Sequence, residues 1–299
     1  MTDFKSGFVS IVGRPNAGKS TLLNQLVKQK VAIVTDKPQT TRDAIIGVLT
    51  EDHYQIIFTD TPGIHKPKHE LGSRMNAIAY SNFRGMDVIY YMMDVSVPLG
   101  GGDEFLIERL SKVKTPIILI LNKIDKVDND EILLRIVQMK ERLNFAEVIP
   151  LSAKNSNNVD TLLDVTLEYL DDGIMYYPKD MISAHPEQFI IAEIIREKII
   201  NLTQEELPHS IAVAIEKITQ KDEVLLINIV IFVNRDSQKG MIIGKQGRMI
   251  REIGKLAREE LELVLGQKIY LESHVRVEKN WRNRHRLLNQ LGYIEIDDE

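Results

Sequence analysis

The chain has 299 residues, 43% of them hydrophobic and 27% charged, with no cysteine and a formal net charge of -5. That length suits two domains, each burying its own core, and the composition is that of a globular protein rather than a fibrous or disordered one. Without cysteine there is no disulfide, thiolate metal site or cysteine nucleophile, which suits a reducing cytoplasm.

The opening "MTDFKSGFVS" lacks the basic and apolar regions of an export signal. Runs such as "PIILIL" fall short of the ~18 apolar residues that span a bilayer, so a cytoplasmic protein is expected. The charge is uneven. Residues 239–286 hold 12 Lys/Arg against 6 Asp/Glu, a local charge of +6 that leaves -11 on the remainder. A basic block in an acidic chain predicts a polyanion partner for that block, with a solvated helix face as the alternative.

In chain order, the runs "GFVSIV", "AIIGVL", "YQIIFTD", "DVIYYMMD", "PIILILN" and "EVIPLSA" read as short strands. Between them, helical spacing over 20–29, 103–112, 129–143 and 159–170 predicts an α/β domain with a mostly parallel sheet over residues 1–170. "DDGIMYYPKDMISAHPEQ" carries Gly173, Pro178 and Pro186 without sustained periodicity, which predicts a linker at 171–186. From 187 to 299 the pattern becomes helix (188–202), two strands (211–219 and 224–234), two helices and a strand (268–277), an α+β order. The acidic "IEIDDE" end reads as a solvated tail.

Gly13, Arg14, Pro15, Asn16, Ala17, Gly18, Lys19, Ser20 and Thr21 follow a strand and open a helix, the setting of a phosphate-binding P-loop. Its glycines let successive N–H groups point at phosphate oxygens beside a helix N-terminus. Lys19 would reach the β- and γ-phosphates, and Ser20 is a natural Mg2+ ligand. "NKID" (Asn122, Lys123, Ile124, Asp125) closes the strand "PIILILN". The Asp125 carboxylate can accept from guanine N1–H and N2–H2, whereas adenine would leave that charge unpaired. "SAK" (Ser152, Ala153, Lys154) offers backbone N–H to guanine O6. "DTPG" (Asp60, Thr61, Pro62, Gly63) with the following Ile64 ends another strand; Asp60 can hold Mg2+ through water and the Gly63 N–H can face a γ-phosphate. In "QTTRD", Thr41 is favoured to complete the Mg2+ shell, with Thr40 the alternate. Lys19, Thr41 and Gly63 are therefore the catalytic candidates, and Ser20, Thr41 and Asp60 the metal set. His65 and His69 have metal-ligand spacing, but Pro67 between them favours a mobile loop.

These motifs resemble the TRAFAC class of P-loop GTPases over the first 170 or so residues. The signalling members commonly place a glutamine after DxxG to orient water; Ile64 cannot hydrogen-bond, so the resemblance implies hydrolysis of GTP that is slow unless stimulated. In similar GTPases with a hydrophobic residue there, the position of Asn16 helps to hold K+; bracing the P-loop is its other reading.

"KGMIIGKQGRMIREIGK" places Gly244, Lys245, Gln246 and Gly247 as a GxxG turn between two helical stretches, with Lys239 and Arg248 adding charge. Such a turn admits a nucleic-acid backbone closely without reading bases, and with the element order around it resembles a type II KH domain. Lys279, Arg282, Arg284 and Arg286 could extend an RNA surface. Trp281 either stacks on RNA or packs the domain edge. A GTPase domain followed by a KH domain, including "LPHS" ahead of the KH strands, resembles the Era family. That implies binding near the 3′ end of small-subunit ribosomal RNA, a role in 30S assembly, a monomer and no DNA partner. The rival expectation is a regulatory GTPase peripheral on the inner face of the membrane, its basic block meeting anionic lipid.

Overall fold

The computed structural model describes residues 4–37, 40–63, 69–82, 85–203 and 207–293. Among these, the first half forms a six-stranded sheet in the order β2-β3-β1-β4-β5-β6. Its strands are β1 (Lys5–Gly13), β2 (Ile45–Thr50), β3 (Tyr54–Asp60), β4 (Val88–Asp94), β5 (Ile117–Asn122) and β6 (Glu147–Leu151). β2 and β3 pair antiparallel, as a short hairpin requires, and the other pairs are parallel. α1 (Lys19–Leu26), α2 (Glu70–Ser81), α3 (Gly101–Leu110), α4 (Asn129–Lys140) and α5 (Val159–Leu167) lie between or after strands.

β4 and β5 are almost continuously buried, which strands covered on both faces demand. Alternate residues feed two cores: Ile11, Tyr90 and Ile120 pack with α1 and α5, while Val12, Tyr91 and Leu119 pack with α3. α1 stops three residues before the expected 29, with Lys28 just beyond it in the left-handed region (φ 56°). Sequence spacing gave no helix after "DTPG"; α2 stands there, with Leu71, Met75, Ile78 and Ala79 buried.

The second half comprises α6 (Glu187–Leu202), α7 (Leu207–Ser210), β7 (Ala212–Lys221), β8 (Val224–Val233), α8 (Asp236–Ile243), α9 (Arg248–Leu265), β9 (Lys268–Val277) and α10 (His285–Gln290). β7 pairs antiparallel and β9 parallel with β8. α9 buries Ile253, Ala257 and Leu261, four apart on one stripe, against an isoleucine-rich core. α10 was not expected. Leu71 and Met75 of α2 share a further cluster with Phe232, Trp281, Leu288 and Tyr293, so the two halves are joined by apolar packing.

Residues 171–186 run along the first sheet as a strap. The Tyr176 and Tyr177 amides donate to Gln55 Oε1, Val48 N–H donates to the Ile182 carbonyl, and Ile46 N–H donates to His185 Nε2 (3.1 Å). Burial holds the His185 imidazole below its ordinary value near 6.5, although Asp43 and Ala44 pull the other way. The neutral ring is therefore the form the fold selects. Its contribution is present above pH 6.5 and is lost as pH falls from there toward the lowered value, because the unfolded chain takes the proton first. Hydrogen-exchange protection of the Ile46 amide should fall below pH 6.5, and His185→Gln should flatten that dependence. Equal pH dependence in the variant would contradict the assignment.

Candidate functional site

The P-loop leaves the C-terminal end of β1, where neighbours β3 and β4 leave on opposite sides and an open α/β sheet makes its crevice. Gly18 has φ +102°, and a Cβ there would lie 2.2 Å from Asn122 Nδ2, so only glycine fits. Asn122 donates through Nδ2 to the Ala17 carbonyl (2.7 Å) and accepts the Ala153 N–H (3.0 Å). One side chain thus ties "NKID", "SAK" and the P-loop together. Lys19 Nζ donates to the carbonyls of Gly13 and Arg14, both at 3.2 Å.

A pocket opens here, lined by Pro15, Asn16, Gly18, Lys19, Ser20 and Thr21 of the loop and helix. Thr41 and Gly63 also line it, as do Ile33, Val34 and Thr35, which sequence reasoning missed because they carry no motif. Arg14 is turned away: its guanidinium pairs with Asp103 of α3 at 2.8 Å, so only its backbone serves the loop. Thr61 is also spent elsewhere, its hydroxyl donating to the Ile11 carbonyl. Pro62 is buried beside it. Ile64, His65 and Pro67 lie outside the described residues; His69 sits at the N-terminal end of α2.

Ser20 Oγ donates to Asp60 Oδ2 (2.6 Å) and lies 2.9 Å from Thr41 Oγ1, which is itself 3.3 Å from Asp60 Oδ2. Asp60 Oδ1 is buried with no partner among the described residues. Two hydroxyls around a buried carboxylate with an orphaned oxygen are an oxygen set that a Mg2+ ion fits. Thr40 also lines the pocket, but its hydroxyl is held by Thr35 and the Lys37 carbonyl. Burial pushes the Lys19 ammonium below its ordinary value and the Asp60 carboxyl above its own, each opposed by the other. Burial thus works against both charged forms, and the pairing of Lys19 with Asp60 works for them.

At the other end, Asp125 is exposed and accepts from Ser152 Oγ. Lys123, in the left-handed region (φ 68°), reaches Asp94 (2.6 Å) and the Asn16 carbonyl (2.8 Å). Ile124 packs into the core beneath, and Lys154 is exposed. The Asn16 side chain donates to the Asp36 carbonyl (2.9 Å), tying the P-loop to the 33–42 segment.

The GxxG turn protrudes between α8 and α9. Gly244 (φ +70°) has no room for a Cβ, which would lie 2.7 Å from that of Met249. Gln246 (φ 54°) and Gly247 (φ 70°) are left-handed too, giving a sharp turn with Lys245, Gln246 and Arg248 exposed. Arg251, absent from the expected set, braces it by donating to the Gln246 and Gly247 carbonyls. A groove beside the turn is lined by Arg251, Lys255 and Arg258 of α9 and Tyr270 of β9, another part sequence reading did not find. Lys239 is half-buried on α8, while Lys279 and Arg282 follow β9, which ends against the end of β8 that leads into α8. Trp281 is fully buried with Nε1 donating to the Ser210 carbonyl (2.8 Å), which removes base stacking and leaves the packing role. Arg284 pairs with Glu278.

Fold and site together define a P-loop GTPase domain joined to a KH domain. Residues 8–123 match the family described as 50S ribosome-binding GTPase, and residues 206–282 match the KH domain. The chain is 51% identical over 299 residues to GTPase Era of Staphylococcus haemolyticus (strain JCSC1435), covering all of both chains. It is also similar to an Era variant of Aquifex aeolicus bound to GDP and aluminium fluoride: 42% identity, TM-score 0.93, 97% of this chain and 99% of that one. A structure of Era with MgGDPNP and nucleotides 1506–1542 of 16S ribosomal RNA matches with the same identity, TM-score and coverage. The chain belongs to the Era family of GTPases, and its activity is hydrolysis of GTP.

Proposed function

We propose that this protein is a GTP-driven switch on small-subunit ribosomal RNA, acting in 30S assembly, whose KH domain takes RNA near the 3′ end. The observation that carries the coupling is that the KH half grips the 33–42 segment, which lines the phosphate end, and α2, the helix that follows "DTPG" in the chain. Arg196 of α6 donates to the Thr40 carbonyl, and Glu197 accepts the Val34 N–H. At α2, Arg74 donates to Asn289 Oδ1 and the Tyr293 carbonyl, and Glu70 N–H donates to Asn283 Oδ1. The RNA expectation rests on the Era–RNA complex and on the exposed cationic GxxG turn. The matched GTPase family, whose description names the 50S subunit, stops short of the KH residues, so it does not bear on RNA choice.

P-loop amides and Lys19 would hold the β- and γ-phosphates while water attacks the γ-phosphorus in line and the bond to the β-phosphate oxygen breaks. Ser20, Thr41 and Asp60 would hold Mg2+, which when bound neutralises charge on the β- and γ-oxygens. The Gly63 N–H would face the γ-phosphate. Ile64 offers no hydrogen bond to the attacking water, so turnover is slow without help. Asn16, beside the phosphates, is the residue to test for K+ by comparing rates in potassium and sodium. No helix among the described residues is long and apolar enough to cross a membrane.

The test is the affinity of a 16S 3′-end RNA for protein loaded with a non-hydrolysable GTP analogue and with GDP. A ratio well above one is expected and gives the coupling energy directly. Equal affinities would mean that nucleotide governs another partner, and no affinity would remove RNA.

A further inference from the structure

Thr41 is bracketed by the KH half. On one side, the Thr40 carbonyl accepts from Arg196 Nη2, and Arg196 is itself fixed by Glu193 of the same helix, with Nε to Oε1 at 2.7 Å. On the other side, Arg42 Nη1 donates to the Ile211 carbonyl at 2.6 Å, and its guanidinium lies 5.8 Å from the Trp281 ring centroid. Glu197, next to Arg196, accepts from Val34 N–H (2.9 Å) and pairs with Lys30 (2.7 Å), holding the start of the same segment. Arg42 and Arg196 are almost fully buried. Arg196 leaves Nη1 buried without a partner among the described residues. A buried arginine with an unmade hydrogen bond is a poor stabiliser, and an apolar side chain would serve packing better. What the guanidinium alone can do here is hold a backbone carbonyl one residue from Thr41.

We propose that Arg196, with Arg42 opposite, is a positioning residue for the GTPase site: the KH domain holds Thr41 Oγ1 beside Ser20 and Asp60, so that it is ready to ligate Mg2+ when GTP is present. This rests on Thr41 being the Mg2+ threonine. RNA-domain residues are thus part of the nucleotide site's supporting shell, and α6 carries information in both directions.

Full-length protein is loaded with a fluorescent non-hydrolysable GTP analogue or with GDP, and Mg2+ is titrated while nucleotide release is followed. Arg196→Met is expected to raise the Mg2+ needed for half-maximal retention of the analogue by about tenfold, the size of one charge-assisted hydrogen bond, with little change for GDP. Arg196→Lys, which keeps a donor for the Thr40 carbonyl, should recover most of the loss. In a Thr41→Ala background, Arg196→Met should add nothing, since contacting residues couple when they act as one. An unchanged Mg2+ requirement, an equal loss with GDP, or the same loss in the Thr41→Ala background overturns the proposal. Should Arg196→Met not fold, Arg42→Met, which removes the donor to the Ile211 carbonyl on the other side of Thr41, goes through the same titration: a shift confined to the analogue supports the proposal and no shift overturns it. If Thr41→Ala alone changes nothing, the Mg2+ assignment falls and takes this inference with it, whereas the RNA-affinity ratio is read independently.

Discussion

Asp125→Asn is expected to weaken GTP binding by about 10^2- to 10^4-fold and to create affinity for xanthosine triphosphate. The carboxylate would accept from both donors on the guanine edge. A carboxamide keeps one acceptor and turns an N–H toward a donor, so one charge-assisted bond worth about 1.5–3 kcal/mol is lost and unpaired donors cost about 1–3 kcal/mol more. At 1.4 kcal/mol per decade this gives the range stated. Xanthine presents a carbonyl where guanine has its amine, which the new N–H can meet. Ser152 donates to Asp125 Oδ1 and would orient the side chain in either form. Competition binding with GTP, ATP and xanthosine triphosphate checks it; an unchanged GTP affinity would place the base somewhere other than Asp125.

How much of this was legible depended on distance along the chain. A P-loop is local backbone chemistry, so its spacing reveals it, and the parallel strands are legible because burial on both faces writes continuous apolar runs such as "IYYMM". The choice between Thr40 and Thr41 was open because the residues are identical neighbours; Thr40 is taken by a local turn with Thr35 and Lys37, which frees Thr41 for Asp60. Arg14 matched the loop pattern, yet its side chain answers to Asp103, 89 residues away. The contacts of Arg196 and Arg42 span 156 and 169 residues, and nothing in residue type announces such pairings. Trp281 posed the same difficulty, since an exposed and a buried tryptophan look alike until the fold brings Leu71 and Met75 against it.

Lys245→Asp should lower affinity for the 16S 3′-end RNA by about 10^2-fold while GTP binding stays within about twofold of the parent. The lysine sits exposed at the tip of a turn with left-handed residues at 244, 246 and 247, so its charge would reach a phosphate that the glycines admit, and an aspartate there would be exposed in its turn. Losing one charge-assisted phosphate bond of about 1.5–3 kcal/mol and adding a like charge in its place accounts for the size. The plot of log affinity against log salt should flatten by about 0.7, the value of one phosphate contact on a single strand. Arg251→Ala makes a useful contrast: its guanidinium is bonded to the Gln246 and Gly247 carbonyls, so its removal should loosen the turn itself. Unchanged RNA affinity in Lys245→Asp, with the fold intact, would mean that the RNA backbone does not enter at the GxxG turn.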